Sequence, residues 1–336
     1  MSFQKFNPQK IYYEPDVLSY DLGGYLYQKY QDKEWIPIEN HNNIPFFRNQ
    51  PNSEFAKMKR NMIVGIRKTH KYTVNHKTSD YLVPYTSSGC SASCLYCYLV
   101  CNYNKCSYLR LFVNREKMLG KLIKTSLKSE QPLTFEIGSN SDLILENTIT
   151  DNLPWTIETF AKEGKGFLTF PTKFDKVDPL IDLYHKGKTI VRMSVNPEKI
   201  IKSIEFGTSD LNSRINAINR LSDAGYPIGL LIAPVIMVKN WKEQYIDLLN
   251  QLESCLSSRS KKSMFIEIIF MTYSYVHKMI NREAFPNAAD LFDKELMTGR
   301  GRGKYCYKLH ARADGEAFLR SEISKRFPNN KIVYVV

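Results

Sequence analysis

This sequence predicts an α/β fold built on a partial (β/α)6 barrel of the TIM type, and three observations carry that expectation. From residue 81 onward short apolar runs alternate with helical stretches, the pattern of parallel strands joined by crossover helices. Polar residues suited to chemistry follow several of those runs directly, where a barrel places its site. The chain has 336 residues, 43% hydrophobic and 24% charged, enough for one large α/β domain with appendages. A doubly wound open sheet is the alternative.

The elements follow in order. Strands are expected at 81–86, 133–137, 166–170, 189–195, 228–235 and 264–270, each short, mostly apolar and rich in β-branched or aromatic residues. Helices are expected at 115–126, 153–163, 179–185, 211–224 and 242–256. Asp178-Pro179 and Ser209-Asp210 mark two starts, and Gly225 marks one stop. Residues 1–80 are polar and irregular, with weak apolar runs at 11–13 and 62–66, and read as an N-terminal extension or cap. Residues 81–285 hold the barrel. Residues 286–336 hold a glycine- and arginine-rich β-hairpin, a helix near 310–326 and a closing apolar run at 331–336.

Composition narrows the function classes. A net charge of +13, from 47 basic and 34 acidic residues, favours a polyanionic partner, nucleic acid first. An AT-rich genome, which inflates lysine, gives the same excess without any partner. No run approaches the roughly 18 apolar residues of a membrane span. The first residues lack an apolar signal core, so a cytoplasmic location is expected. Seven cysteines, an odd number mostly clustered within 90–106, fit metal or redox chemistry better than a disulfide framework.

Cys90, Cys94 and Cys97, spaced C-x3-C-x2-C, carry the most information. Three thiolates hold three corners of a [4Fe–4S] cube and leave the fourth iron open. An open metal position is what separates a catalytic site from a closed structural one. The alternative is a structural zinc or a fully ligated cluster with Cys101 or Cys106 as fourth ligand, although the 3-2 spacing is not the paired C-x2-C of usual zinc sites. Other polar groups follow later strands: residues 139–142 (SNSD), Thr172-Lys173, Ser194 with Asn196, and Ala233-Pro234. A lysine at a strand end inside an apolar segment, such as Lys173, needs a partner. Between 299 and 308 glycines alternate with Arg300, Arg302 and Lys304, which suits a hairpin that approaches phosphate closely. Tyr305 and Tyr307 are placed to stack on bases. The basic run 67–71 is a weaker phosphate candidate.

Taken together, residues 88–99 around the cysteines, 135–142 (FEIGSNSD), Thr172-Lys173, 192–196 (RMSVN), 232–234 (IAP) and 303–305 (GKY) resemble the spore photoproduct lyase family of radical S-adenosylmethionine (SAM) enzymes. The likeness runs from about residue 11 through the last strand. It implies a partial barrel, and a cluster on Cys90, Cys94 and Cys97 that reduces SAM to methionine and a 5′-deoxyadenosyl radical. That radical takes a hydrogen from C6 of 5-thyminyl-5,6-dihydrothymine in DNA, and the methylene bridge then breaks to give two thymines. The resemblance further implies SAM contacts from Tyr98, Ser141, Lys173, Ser194 and the backbone near Ala233. It also implies a hydrogen-atom relay around Tyr96 and Tyr98, and lesion contacts from Arg300, Arg302, Lys304 and Tyr305. A flavodoxin- or ferredoxin-type reductant, a monomer or weak dimer, no membrane partner and a spore or germinating cell are expected.

One position departs from the family pattern. The cysteine that quenches the product thyminyl radical falls on Ser139, and a hydroxyl hydrogen is held much more strongly than a thiol hydrogen. The donor is then relocated to Cys101, Cys106 or Cys306, or it is a phenol, Tyr96 or Tyr98, or the chain is a lyase-like paralogue with different chemistry or a variant crippled in the quench. A non-enzymatic nucleic-acid-binding protein with a closed four-cysteine metal is the remaining alternative.

Overall fold

The six expected strands lie side by side in sequence order. In the structure, a computed structural model describing residues 6–100 and 108–336, these are Tyr81–Leu82, Thr134–Glu136, Phe167–Thr172, Thr189–Val195, Ile228–Val235 and Phe265–Phe270. They are successive parallel neighbours in one sheet. A doubly wound sheet reverses its strand order at a switch point; here there is no reversal, so the sheet is a curled barrel wall. Ile332–Val335 adds a parallel strand beside Phe265–Phe270, and Thr73–Val74 an antiparallel one at the opposite edge.

Helices follow the strands and bury one stripe each. Leu211–Asp223 begins where the Asp210 carboxylate accepts from the Ser213 amide at 2.8 Å, a side-chain N-cap. Its buried residues Leu211, Arg214, Ile215, Ile218 and Leu221 recur at helical spacing. Arg214 is the anomaly in that stripe, a charge aimed into the protein, and its reason lies in the site. Arg115–Lys128, Asn152–Glu163 and Trp241–Cys255 match their expected spans to within a few residues.

Three expectations need correcting. The strand expected at 81–86 stops at Leu82, because Pro84 has no amide to give a ladder. The helix expected at 179–185 is one turn, Asp178–Leu180. Instead of helix, the His185 ring stacks on Tyr226 at 3.8 Å and bonds the Ala224 carbonyl, and Lys186 and Gly187 turn left-handed. The weak runs near 11 and 62 are strands, Lys10–Tyr13 and Met62–Gly65. They belong to a second sheet with Glu34–Pro37, Arg110–Phe112 and Ser87–Ser88. That sheet takes in chain on both sides of the cysteine loop.

Candidate active site

The cysteine loop leaves the second sheet at Ser87–Ser88 and is held along its backbone. Ser93–Cys94 pairs antiparallel with Glu205–Phe206, placing Cys94 opposite Glu205. The carbonyls of Leu95 and Cys97 meet the Asn281 amide at 2.7 Å and the His277 ring at 2.9 Å, both from the helix Tyr275–Ala284. Cys90, Cys94 and Cys97 are all free thiols. Burial pushes the Cys90 thiol up to about 12, with Lys59 opposing and Asp142 and Cys97 adding to the rise. Burial and then Glu205 push Cys94 up as well, with Lys173 opposing and the other two cysteines adding. Among the described residues no three Cys, His, Asp or Glu side chains crowd onto one point as the ligands of a single ion do. A cube binds each cysteine through a different iron, and the donor set this loop offers is three free thiols. Cys101 and Cys106 lie outside the described residues.

Glu205 is the centre of the site, and nothing in the sequence pattern singled it out. Its fully buried carboxylate meets Arg214 at 2.7 Å, Lys173 at 3.1 Å, the Asn196 amide at 2.8 Å and the Tyr96 hydroxyl. Burial alone raises a carboxyl, but Lys173 and Arg214 together overcome it and hold Glu205 at about 2. Burial and the adjacent carboxylate push the Tyr96 phenol the other way, well up, so it keeps its proton. Lys173 spends all three of its donors on protein: Glu205, the Ser194 hydroxyl at 2.5 Å and the Ala233 carbonyl at 2.9 Å. The Ala233 carbonyl also accepts from Ser194 at 2.8 Å and Asn196 at 3.3 Å. Lys173, Ser194 and Ala233 thus stand together at adjacent strand ends. The only hint of Glu205 in sequence is a lone acid between Ile204 and Phe206.

A second network joins the earlier strand ends. Asp142 caps the helix Leu143–Asn147 by accepting from Ile144 and Leu145, and it also accepts from the Thr172 hydroxyl at 2.8 Å and the Lys173 amide at 2.9 Å. Glu146 accepts from Thr86 at 2.9 Å, Ser87 at 2.5 Å and Asn152 at 2.6 Å, and its burial raises its pKa. Ser141 lies 2.7 Å from Ser87. Ser87 has one hydroxyl hydrogen, which it gives either to Ser141 or to Glu146. Ser139 is half-buried on the same loop, and its hydroxyl has no hydrogen bond among the described residues. Tyr98 is 52% exposed, unlike Tyr96.

The expected hairpin is Met297–Gly301 paired with Lys304–Tyr307, and Thr272–Ser274 adds a third strand. Its two-residue tip, Arg302-Gly303, has positive φ at both positions, 51° and 67°, as a type I′ turn requires. Arg300, Arg302 and Lys304 are exposed. Tyr305 is half-buried and edges against Phe292 at 4.7 Å. Tyr307 is not available to bases: it is buried, and its hydroxyl accepts from the Met237 amide at 2.8 Å. Arg67 from the basic run turns inward, bonding the Tyr85 carbonyl at 2.8 Å and lying over the Phe112 ring. The Tyr275 amide bonds the Gly303 carbonyl at 2.9 Å, so the helix that grips the cysteine loop also touches the hairpin tip.

Family models, curated relatives and solved structures agree on one family. The spore photoproduct lyase family model matches residues 6–336. Spore photoproduct lyase of Bacillus subtilis (strain 168) is 33% identical over 98% of both chains, and that of Geobacillus sp. (strain Y412MC61) is 29% identical over 98% of both. A solved spore photoproduct lyase complexed with dinucleoside spore photoproduct superposes with a TM-score of 0.91 at 27% identity, covering 99% of this chain and 100% of that one. A double mutant with bound AdoMet and the same dinucleoside gives 0.90 at 28% identity, covering 99% of both. The chain belongs to the spore photoproduct lyase family.

Proposed function

We propose that this chain repairs spore photoproduct in DNA, splitting it to two thymines, with Cys90, Cys94 and Cys97 holding a [4Fe–4S] cluster and SAM lying over the strand ends at Ser141, Lys173, Ser194 and Ala233. The observation that carries this is the joining of a whole-length family match to a network tying the strand ends beside three free thiols. When bound, the cluster and SAM supply the 5′-deoxyadenosyl radical. A lyase-like enzyme for another substrate is not favoured, because relatives match over 98% of this chain and are named for this reaction.

The chain's own residues bind, orient and hold protons. Lys173 brings an ammonium to a carboxylate, and it does so by releasing one of its three protein oxygens. Tyr96 keeps a hydroxyl hydrogen to relay, because burial and the fixed Glu205 anion disfavour its phenolate. Glu205 is too weak a base, held near 2, to take that proton. Arg300, Arg302 and Lys304 meet phosphates, and Tyr305 supplies a ring where a dinucleotide must leave the stack. Tyr98 serves both SAM and the relay. The quenching hydrogen comes from a relocated donor rather than Ser139, with Cys101 the first candidate. A flavodoxin- or ferredoxin-type protein supplies the electron. Among the described residues no helix is long and apolar enough to cross a membrane, and the setting is the spore or germinating cell.

The test is anaerobic reconstitution of the full chain with iron and sulfide, then SAM, dithionite and the dinucleoside lesion. Thymine release that requires SAM is expected, and Cys94→Ala abolishes it. SAM cleavage with an untouched lesion overturns the substrate.

A further inference from the structure

Lys59 belongs to the N-terminal region, just past the short helix Phe55–Met58, yet only 2% of it is exposed. Its ammonium donates to the carbonyls of Cys90 and Ala92, both at 2.9 Å, and lies 5.2 Å from the centre of the Phe55 ring. Burying an ammonium is costly unless polar groups compensate it, so its place against the cysteine loop is specified rather than incidental. Two other side chains grip the same loop without charge. Asn281 is an amide, and burial of His277 favours its neutral ring. Lys59 alone of these three brings a positive charge, and that charge is held 2.9 Å from the Cys90 carbonyl. The Ala92 amide, on a residue whose carbonyl Lys59 holds, points at the Cys90 sulfur from 3.4 Å.

Reduction potentials of iron–sulfur clusters follow net charge, hydrogen bonds to sulfur and solvent exposure. A cation fixed beside one ligand stabilises the state with the extra electron. We propose that Lys59 is a positioning residue for the cluster, fixing the Cys90 and Ala92 carbonyls and raising the cluster's reduction potential. This rests on the reading that Cys90, Cys94 and Cys97 are its ligands. It gives the second sheet a part in the chemistry, because Lys59 sits at the entry to the Met62–Gly65 strand.

The experiment is a redox titration of the reconstituted full chain followed by electron paramagnetic resonance, comparing wild type, Lys59→Gln and Lys59→Arg. Glutamine keeps a donor for one carbonyl and removes the charge; arginine keeps the charge. The expected result is a midpoint shifted to more negative potential in Lys59→Gln and near wild type in Lys59→Arg, with iron and sulfide content unchanged. SAM cleavage in Lys59→Gln then slows with a weak reductant and recovers with a strong one. An unchanged midpoint overturns the proposal. So does a Lys59→Gln chain that fails to fold or takes up no iron, since Lys59 is then a strut. If Cys94→Ala keeps a wild-type cluster, the ligand assignment falls instead, whatever Lys59 does.

Discussion

Two buried charge clusters sit in the same barrel with opposite ratios. At the strand ends one carboxylate, Glu205, is shared by two cations, Lys173 and Arg214. Within the sheet one cation, Arg192, is shared by two carboxylates. It lies 2.8 Å from Glu136, out of line for a hydrogen bond, and 3.2 Å from Glu267. Burial opposes the charged form in both places, and the count of partners decides the outcome. Glu205 is held at about 2, whereas burial and the adjacent Glu136 raise Glu267 despite Arg192. A fixed anion belongs where a phenol and an ammonium must be aimed, and a carboxyl inclined to hold its proton belongs in the barrel packing.

The sharpest break in this comparison is Glu205→Ala. Leaving Arg214 and Lys173 without their carboxylate costs about 3–5 kcal/mol, read as a lower urea midpoint at neutral pH. The acid limb comes next. A lowered folded pKa gives stability that is present above the unfolded value of 4.5 and lost as pH falls toward about 2. That loss is about 3 kcal/mol, and it is absent in Glu205→Gln. Glu267 has the opposite sign: its raised value stabilises below the unfolded pKa, and the benefit disappears as pH rises through the folded one. Glu267→Gln is therefore neutral or stabilising at pH 8, within about 1 kcal/mol, and a penalty of several kcal/mol contradicts the charge count.

The exposed hairpin charges extend the contrast to the surface. Arg300→Ala or Arg302→Ala leaves the melting midpoint nearly unchanged and weakens DNA binding. The salt slope falls by about 0.9 for each duplex phosphate that the variant no longer neutralises, and an unchanged slope removes that side chain from the interface. Smallest of all is Ser139→Cys. With the donor relocated, product analysis shows the same thymine yield, and a higher yield shows that the serine is a handicap.

The cysteine spacing and the strand-end segments were legible because chemistry follows strands at fixed places in a barrel. Asp142, Lys173, Ser194 and Ala233 are joined by hydrogen bonds at those strand ends. Glu205, Arg214, His277 and Asn281 were not legible. Glu205 reaches the site through a two-residue strand pairing with the cysteine loop, and Arg214 through the inner face of a helix. Neither leaves a spacing pattern. The second sheet escaped for a related reason: Lys10–Tyr13 and Met62–Gly65 are four residues each, too short for alternation to register. Tyr307 shows the reverse error. It alternates correctly for an exposed hairpin, but the Met237 amide claims its hydroxyl.

Glu205 is predicted to position the reacting groups, and Glu267 only to fill the barrel. The most direct measurement is the rate of thymine release from the dinucleoside lesion by folded, cluster-loaded Glu205→Gln and Glu267→Gln. Glu205→Gln is expected to lose about tenfold or more in rate, about 1.4 kcal/mol or more of barrier, with its cluster content intact. Glu267→Gln is expected to match wild type. Equal rates in the two variants contradict the account.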